Sequence, residues 1–335
     1  MKTAVVILNY NTKDYLRKFL PGLIASCEGQ DARVFVVDNA SGDGSVQMME
    51  AEFPDIPLIV LEKNFGFTGG YNRALEMIEA DYYVLINSDI EVPEGWLKPL
   101  TDWMDSHPQC GACGPKLLSW HRRDRFEYAG AAGGLIDRYG YPFCRGRIMQ
   151  KVEKDRGQYD SPQNVLWVSG ACLMVRSCVW KALGGLDERF FAHMEEIDLC
   201  WRMQLGGWKV TVVPASAVWH IGGGTLRNES PFKLYLNFRN NLLLLENNLP
   251  ATFAAEGAKN PYGKARRRIL ARMCLDGLSA LVFLVTRRRT FYKAVLEAHR
   301  EYRRLRRKGT IPPAPQMPEG LYRGWIVPKG LFRRL

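Results

Sequence analysis

The chain has no apolar run long enough to cross a membrane as a helix. Near the C-terminus the longest apolar stretch, residues 278–285, falls far short of the roughly 18 residues that indicate a membrane span. The apolar run at residues 2–8 is also too short for a secretory signal peptide. We therefore expect a cytoplasmic protein.

The sequence also has few features of a disulfide-bonded or disordered protein. Its eight cysteines are scattered without the spacing of a disulfide framework. Cys110 and Cys113 form a single C-x-x-C, which supports a zinc site only weakly without a second pair. Hydrophobic residues make up 47% of the 335 and aromatic residues 11%, which excludes a mostly disordered chain. Length and composition together predict one large globular domain with a smaller appendage.

The net charge of +11 is concentrated at the C-terminal end. Residues 260–335 contain 19 Lys or Arg and 4 Asp or Glu, whereas residues 1–259 contain 27 and 31. Arginine triplets at 266–268 and 287–289 bracket the apolar stretch 278–285, as in helices that lie at a membrane interface. Two interpretations of this basic region are open. It contacts the inner-membrane surface, or its helices only pack on the main domain. We expect no nucleic-acid partner.

The first 90 residues alternate between apolar strands and amphipathic helices. The predicted elements are strands at 3–8, 33–37, 57–61 and 82–86 and helices at 14–24, 45–53 and 69–79. This alternation predicts βαβ units and a largely parallel sheet that is buried on both faces. Residues 110–170 have no clear period and are expected to form a hairpin or a mobile loop. The later predicted elements are helices at 177–183, 193–205 and 231–247, a strand at 209–213 and two basic helices within 262–308.

Polar side chains follow the predicted strands where each strand ends. They are Asn9, Asp38, Asn39, Asn64 and the run Asn87-Ser88-Asp89. Ligands of open α/β sheets bind at the carboxyl ends of the strands, so these residues are candidates for one site. Asp38 can bind a ribose or a base edge, or it can form an Asx turn. Asp89 can hold Mg²⁺ or Mn²⁺, or it can cap a helix.

Three glycines lie in residues 64–72, directly before a predicted helix. Glycines allow the backbone to approach a phosphate closely, and a helix N-terminus favours an anion. The segment matches neither the phosphate-binding loop that ends in Lys-Ser/Thr nor a complete G-x-G-x-x-G. It therefore gives weak support for phosphate binding, and a loop that needs positive φ is the alternative.

Three acids within four residues stand on a predicted helix: Glu195, Glu196 and Asp198. Glu195 and Asp198 are i,i+3 neighbours, and Asp198 pairs with Arg202 at i,i+4. Glu196 points elsewhere and is free to act as a base. Apolar residues surround the acids, and buried carboxylates cluster at functional sites, so we prefer this interpretation to a solvated helix face.

His220 ends the apolar stretch 217–219 and precedes three glycines at 222–224. A histidine beside a tryptophan is commonly structural. The glycine-rich flank would, however, leave the imidazole free to bind a metal ion.

In this order and spacing, the segments resemble the family-2 glycosyltransferases with a GT-A fold. The resemblance rests on residues 5–11, 37–41, 64–67, 87–89, 184–188, 195–199 and 218–220. Among the branches of the family, the sequence is most similar to the bacterial rhamnosyltransferases, which build lipid-linked cell-surface polysaccharides. The resemblance implies an α/β fold with a Rossmann-like, mostly parallel sheet flanked by helices. We expect this GT-A domain at residues 1–247, a basic helical extension at 248–310 and a Pro-rich, basic tail at 311–335.

The resemblance also implies roles for single residues. Asp38 and Asn39 would contact the nucleoside. The other residues around the nucleotide sugar would be Asn9, Asn64, Gly69, Asn72, Asn87 and Ser88. Asp89 would bind a divalent cation, Mg²⁺ or Mn²⁺, and His220 would complete the metal site. Glu196 would be the catalytic base, with Glu195, Asp198 and Arg202 as supporting groups.

Two positions depart from the family pattern. The D-x-D motif reads Asn87-Ser88-Asp89, which removes one metal-binding carboxylate and makes His220 more important. The base is Glu196 where an aspartate is usual, one methylene longer with nearly the same solution pKa.

The implied reaction is an inverting transfer, of the hexosyl- or rhamnosyltransferase type. The donor would be a nucleoside-diphosphate sugar and the acceptor a hydroxyl of a glycan, expected to be lipid-linked. The enzyme would then be peripheral on the cytoplasmic face of the membrane, held there by residues 260–335. The alternatives are a non-catalytic scaffold and a sugar nucleotidyltransferase. The latter would carry a Gly-rich loop with Arg and Lys after the first strand, where this chain has Asn9-Tyr10-Asn11-Thr12-Lys13.

Overall fold

Alternating strands and helices form the N-terminal part of the computed structural model, which describes residues 1–222 and 230–332. In chain order they are β1 (Thr3–Asn9), α1 (Lys13–Cys27), β2 (Ala32–Asp38), α2 (Ser45–Glu52), β3 (Leu58–Val60), α3 (Gly66–Glu76), β4 (Tyr82–Ile86), β5 (Ile90–Glu91) and α4 (Leu97–Ser106). The predicted alternation is confirmed. Helix α3 begins at Gly66, before its predicted start at residue 69, and α4 has no counterpart among the predicted elements.

The middle of the chain consists of strands. They are β6 (Cys110–Ser119), β7 (Gly134–Asp137), β8 (Pro142–Cys144), β9 (Arg147–Ile148), β10 (Lys151–Val152), β11 (Gln163–Asn164) and β12 (Cys172–Arg176). The expected hairpin is present, because β7 and β8 pair antiparallel on either side of residues 138–141. The expectation of a hairpin or mobile loop over 110–170 is wrong for β6, which is a ten-residue buried strand. Two glycines interrupt the apolar pattern by which β6 could be predicted. They are needed because Gly111 packs against Trp208 and Gly114 against Val168, where larger side chains would not fit.

Helices dominate the C-terminal part. The elements are α5 (Ser177–Ala182), a 3₁₀ turn (Glu188–Phe190), α6 (Glu195–Leu205), β13 (Lys209–His220), α7 (Pro231–Ala255), α8 (Pro261–Val285), α9 (Arg289–Leu305), β14 (Leu321–Tyr322) and α10 (Ile326–Phe332). Strand β13 and helix α7 continue beyond their predicted ends at residues 213 and 247. Since α7 crosses residue 247, the predicted domain division there falls inside a helix, and the three-part division stays a prediction.

The main sheet has the strand order β11-β13-β6-β12-β4-β1-β2-β3, and β5 pairs with β13. Strands β3, β2, β1 and β4 are mutually parallel, as predicted, and β13 is parallel to β6. Strand β12 runs antiparallel between β4 and β6, so the sheet as a whole is mixed. The carboxyl ends of β1, β2 and β4 therefore meet at one edge, where the polar residues follow them.

Two hydrophobic cores cover the two faces of this sheet. Val5 and Ile7 of β1 belong to the core that includes residues of α1, α2 and α4. Ala4 and Val6 belong to the other core, with residues of α3, α6 and α7. Successive strand residues point to opposite faces, so a strand covered on both faces needs an uninterrupted apolar run, as β1 has.

A second sheet and two helices join the C-terminal region to the rest. The second sheet has the order β10-β9-β8-β7-β14, in which β14 is parallel to β7. Helices α8 and α9 pack on α7 through buried residues that include Ile269 and Tyr302. The buried pair of Arg272 and Asp276, 2.7 Å apart, lies in α8. No helix within residues 1–222 and 230–332 is long and apolar enough to cross a membrane, and the eight cysteines are free thiols.

Candidate active site

Asn9 and Asp38 are joined at the carboxyl ends of β1 and β2. The Asn9 Nδ2 donates to Asp38 Oδ2 (2.7 Å) and to Ser41 Oγ (3.0 Å). The Thr12 hydroxyl donates to Asn9 Oδ1 (2.5 Å) and lies 2.7 Å from the Ser88 hydroxyl. Asn9, Asp38 and Ser88 are all buried. This network fixes the predicted nucleoside residues and links them to the loop after β4.

Asn39 shapes the loop that leads into α3. Its Nδ2 donates to Asn64 Oδ1 and to the Gly66 carbonyl oxygen, both at 3.0 Å, and its Oδ1 accepts from the Phe65 N–H (3.0 Å). Gly66 has φ +72°, and a Cβ there would lie 2.5 Å from the Phe191 ring. Only glycine fits this position, because the left-handed backbone and the close ring both exclude a side chain.

Asn72 holds α3 against the segment at 184–188. Its Nδ2 donates to the Leu186 carbonyl oxygen (2.8 Å), and its Oδ1 accepts from the Leu186 N–H (2.9 Å). Beside it, Arg73 donates to Glu188 Oε1 (2.9 Å) and to the Gly69 carbonyl oxygen (3.0 Å). The structure thus gives Asn72 a structural contact, while the contacts of Gly69 and Asn72 with a nucleotide sugar stay predictions.

Asp89 and His220 meet, as the metal-site hypothesis requires. The Asp89 Oδ1 lies 3.1 Å from His220 Nε2, and its Oδ2 accepts from the Gly222 N–H (3.2 Å). The Asn87 Nδ2 lies 3.5 Å from the same imidazole nitrogen. The pairing of β13 with β5 places His220 opposite Ile90 and so brings two residues together that are far apart in the chain.

Glu127 is a buried acid of this site that the sequence analysis missed. Its Oε1 lies 3.7 Å from His220 Nδ1, on the side of the ring away from Asp89, and its Oε2 accepts from the Ala129 N–H. A single acid in an irregular segment carries no spacing signal, so its role could not be predicted. Residues 223–224, two of the three glycines predicted to free the imidazole, lie outside the described residues.

The residues present fit a hard divalent cation. Burial lowers the pKa of His220, but the hydrogen bond with Asp89 and the negative charges of Asp89 and Glu127 outweigh it and raise this pKa to about 10. Burial raises the pKa of Asp89, but His220 brings it below its ordinary value. Carboxylate oxygen suits Mg²⁺ and Mn²⁺, whereas imidazole nitrogen is a ligand of transition metals, so the pair favours Mn²⁺ over Mg²⁺. The described part of the chain contains no group of three His, Cys, Asp or Glu side chains that could together hold a metal ion. Ligands from water and the donor would therefore be needed as well.

Glu196 stands at the first turn of α6, close to the metal motif. A Cβ on Gly170 would lie 3.5 Å from the Glu196 Cβ, and the next residue, Ala171, accepts from the Asn87 N–H at 2.9 Å. One oxygen each of Glu195 and Glu196 is buried without a hydrogen bond. Burial raises the pKa of both carboxyls, and the charge of Glu196 raises that of Glu195 further. The arrangement supplies a carboxylate of increased basicity with a free oxygen.

Asp198 and Arg202 form the predicted ion pair, with Arg202 Nε 2.7 Å from Asp198 Oδ2. The other Asp198 oxygen accepts from Asn247 Nδ2 (2.9 Å) and Asn248 Nδ2 (2.8 Å). Arg202 also donates to the carbonyl oxygens of residues 183 and 185, at 3.0 and 2.9 Å. Both side chains are fully engaged, which suits a supporting role and leaves Glu195 and Glu196 as the acids of this turn with a free oxygen.

The segment before Glu195 has strained backbone. Its non-glycine residues with left-handed φ are Phe191 (62°), His193 (72°) and Met194 (71°). The buried Asn240 Nδ2 donates to the carbonyl oxygens of Phe190 (2.9 Å), Ala192 (2.7 Å) and His193 (2.7 Å). The Phe191 carbonyl oxygen accepts from the Phe67 N–H (2.7 Å), which connects the segment to the loop at α3. Strain of this kind persists only where surrounding contacts hold it, and it concentrates at functional sites.

His193 and Lys233 lie close enough for their charges to interact, and His193 directly precedes the N-cap residue of α6. Burial, together with the charge of Lys233, lowers the pKa of His193 to about 4, and the His193 Nε2 is buried without a hydrogen bond. Lys233 is also influenced by Glu127, so it lies near both ends of the site. Neither residue belongs to a recognisable sequence pattern. The buried Asn240 could have been found, because asparagine pairs at 240–241 and 247–248 flank the apolar run 242–245 of α7.

Comparisons with known proteins show the family and the fold of the chain. Residues 4–174 match the model of Glycosyl transferase family 2. The chain is 28% identical over 234 residues to the N-acetylglucosaminyl-diphospho-decaprenol L-rhamnosyltransferase of Mycobacterium tuberculosis, covering 64% of this chain and 75% of that protein.

Two solved structures show the same fold. The mannosyltransferase PcManGT from Pyrobaculum calidifontis, in complex with GDP-Man and Mn²⁺, aligns with TM-score 0.52 and 13% identity over 90% of this chain and 86% of that chain. GalNAc-T7 with UDP, GalNAc and Mn²⁺ aligns with TM-score 0.57 and 14% identity over 76% of this chain, which spans 50% of that one. The chain therefore belongs to glycosyl transferase family 2, and it is a glycosyltransferase with the GT-A form of the α/β fold.

Proposed function

We propose that this enzyme transfers a hexosyl or 6-deoxyhexosyl group, with inversion, from a nucleoside-diphosphate sugar to a hydroxyl of a lipid-linked glycan. The observation that carries the proposal is the buried Glu196 carboxylate with a free oxygen, joined through residues 170–171 to the Asp89 and His220 pair. The similarity to an enzyme named for a diphospho-decaprenol substrate supports a lipid diphosphate as the carrier of the acceptor in cell-surface glycan synthesis.

Glu196 is the catalytic base in this proposal. The acceptor hydroxyl donates a hydrogen bond to the free Glu196 oxygen. As the hydroxyl oxygen attacks the anomeric carbon, its proton moves to Glu196, and the bond between that carbon and the diphosphate oxygen breaks. The nucleoside diphosphate leaves with the bonding electron pair, so one displacement inverts the anomeric centre without a covalent intermediate. The increased basicity of Glu196 suits a base that works near neutral pH.

The nucleoside half of the donor would lie at the ends of β1 and β2. Asp38 and Asn39 would contact the nucleoside, because their side chains are already fixed by Asn9 and Asn64. The hydrogen bond between Thr12 and Ser88 joins this half to the metal half. A donor bound across this edge would need little rearrangement of the protein, which lowers the entropic cost of reaching the transition state.

Asp89 and His220 would hold the divalent cation. When bound, such an ion supplies positive charge that stabilises the departing diphosphate. Both structural neighbours named above were solved with Mn²⁺. Asp89→Ala should therefore lose donor binding and turnover together, and excess chelator should stop turnover. Full turnover in chelator would contradict the metal assignment.

The test of the function is release of nucleoside diphosphate across a panel of nucleotide sugars, with and without Mn²⁺ and an N-acetylglucosaminyl diphosphate lipid. Glu196→Gln should abolish transfer and leave donor affinity nearly unchanged, since general base catalysis contributes about 10²–10⁴-fold. Glu195→Gln is the matched control on the same helical turn. If only the Glu195 variant loses transfer, the base is misassigned. If the wild type turns over no donor, a non-catalytic scaffold is the better interpretation.

We further propose that the exposed side of α8 lies on an anionic membrane surface. Leu278, Leu281, Val282 and Val285 recur at helical spacing and are more than half exposed. The arginines at 287–289 follow them directly. Apolar side chains flanked by cations are typical of helices at the interface of anionic bilayers, where each Lys or Arg contributes about 1 kcal/mol. The other side of α8 packs on α7, so the basic region is both a packing extension and a candidate lipid contact.

Binding to phosphatidylglycerol vesicles tests this surface without removing buried helices. The wild type should bind at low salt and dissociate as salt rises. The double variant Leu281→Gln/Val285→Gln should bind at least about tenfold more weakly, because apolar burial is lost. Met77→Gln, a change of a similarly exposed apolar residue directly after α3, is the control. Equal binding of all three proteins would reject the membrane contact.

A further inference from the structure

A cleft of about 570 Å³ lies between helices α6, α7 and α8 and the C-terminal segment. Its volume falls within the range of small-molecule sites, roughly 300–1,000 Å³. None of its lining residues belongs to the candidate active site described above. The cleft is formed because β14 pairs with β7, which places Leu321 opposite Ile136 and closes one wall.

The floor of the cleft is apolar. Trp201 of α6 and Leu245, Leu249 and Phe253 of α7 line it, and all four side chains are buried. Leu321 of β14 lines the facing wall. A hydrocarbon chain would gain free energy by leaving water for this surface.

The rim of the cleft carries arginines that lack carboxylate partners. Arg138, Arg268 and Arg323 line it, and none of them forms an ion pair with another described residue. Arg268 is half-buried and donates to the Arg138 carbonyl oxygen, whereas Arg138 and Arg323 are exposed. Burial and the charge of Arg138 lower the pKa of Arg268, and the charges of Glu256 and Asp137 act in the opposite direction. An anion bound beside Arg268 would reduce the repulsion from Arg138.

The two acids of the cleft are already engaged. The Asp137 carboxylate accepts from the backbone N–H groups of Tyr139 (2.8 Å), Tyr141 (2.9 Å) and Ile326 (2.9 Å). Glu256 forms an ion pair with Lys264 at 2.7 Å. The three arginines therefore keep the capacity to bind an external anion.

We propose that this cleft binds a phosphate-bearing amphiphile, with the phosphate on Arg138, Arg268 and Arg323 and the hydrocarbon chain along the apolar floor. Guanidinium groups match phosphate oxygens with paired hydrogen bonds, which makes arginine the preferred residue for phosphate recognition. The hydrocarbon can be isoprenoid or acyl, since the apolar floor does not distinguish between the two kinds of chain. This site stands independently of the proposed transfer reaction, because it shares no residue with it.

Isothermal titration of the full chain with farnesyl phosphate, farnesol and inorganic phosphate tests the proposal. Farnesyl phosphate should bind at least about tenfold more tightly than either of the other two, because only it uses both floor and rim. Dihexanoyl phosphatidic acid, titrated in parallel, distinguishes an acyl from an isoprenoid chain by its relative affinity. The double variant Arg268→Gln/Arg323→Gln should lose about tenfold or more in affinity for farnesyl phosphate.

Arg267→Gln is the matched control, since Arg267 is exposed on the same helix and does not line the cleft. The control should bind farnesyl phosphate like the wild type. The control should keep the wild-type melting temperature, and all variants should keep the wild-type rate of nucleotide-sugar hydrolysis, which separates this site from the active site. Inorganic phosphate binding as tightly as farnesyl phosphate, or a double variant that binds like the wild type, would overturn the proposal.

Discussion

Replacing Asn240 with aspartate should disturb the catalytic base without touching it. The change keeps the shape of the side chain but replaces its N–H₂ donor with an oxygen. That oxygen would face the three carbonyl oxygens of Phe190, Ala192 and His193, to which Asn240 now donates. Because Asn240 is fully buried, water cannot replace the lost hydrogen bonds.

The contacts set the size of the effect. The Asn240 amide has two N–H groups, which the three carbonyl oxygens share. Each N–H contributes about 1 kcal/mol net, so their loss predicts a fall of about 2 kcal/mol in the free energy of unfolding. Left-handed backbone costs about 1–2 kcal/mol for each non-glycine residue, so the three such residues in this segment favour relaxation once the bonds are gone. Relaxation would move the start of α6, and a displacement of about 1 Å at a catalytic group can cost about 10²-fold in rate.

Urea denaturation and initial rates of transfer measure the two consequences separately. Asn237→Asp is the control, because Asn237 lies one turn earlier on α7 and is only half-buried. We expect the control to keep both stability and rate. If Asn240→Asp loses stability but keeps the wild-type kcat, the segment does not position Glu196. If it loses neither, the hydrogen bonds do not hold the strained backbone.

Three further changes probe the charges of the site. Transfer should rise with pH through about 7, the value to which burial raises the Glu196 pKa, because only the ionised carboxylate accepts a proton; a flat profile would contradict this. Glu195→Gln should increase the free energy of unfolding more at alkaline than at acidic pH. The folded-state pKa of Glu195 is raised above its unfolded value of about 4.3, so the folded wild type binds the proton more tightly and loses stability as pH rises. An equal effect in acid and alkali would be the wrong outcome. Glu127→Gln should weaken Mn²⁺ binding by about 10–100-fold, measured by electron paramagnetic resonance, because carboxylates behind a histidine ligand orient it; unchanged Mn²⁺ affinity would exclude that role.

The parts of the site that follow strands were predictable from the sequence. Asn9, Asp38 and Asp89 come directly after or close to apolar runs, and a parallel sheet brings such positions to one edge. The pairing of Asp198 with Arg202 was equally accessible, because i,i+4 spacing on a helix is a local property.

Contacts between distant segments could not be predicted in the same way. Glu127 reaches His220 across the sheet, and no spacing in the chain connects the two. Strand β6 was not predicted because Gly111 and Gly114 give it the composition of a loop. The reason for these glycines is the close packing of Trp208 and Val168 against them, which only the structure shows. The charge of the C-terminal region was countable from the sequence. Which side of α8 packs and which side is exposed depends on α7 and α9.

The pairing of β14 with β7 has a consequence for how the chain acquires its structure. Residues 136 and 321 become neighbours only after the roughly 185 residues between them have been synthesised. Contacts of such long sequence separation form late, because the loop entropy must be overcome first. Until then one edge of β7 has no partner, and an unpaired strand edge is a template for aggregation. Substitutions at residues 321–322 that weaken this pairing should therefore reduce the yield of folded enzyme during biosynthesis, even though these residues lie outside the candidate active site.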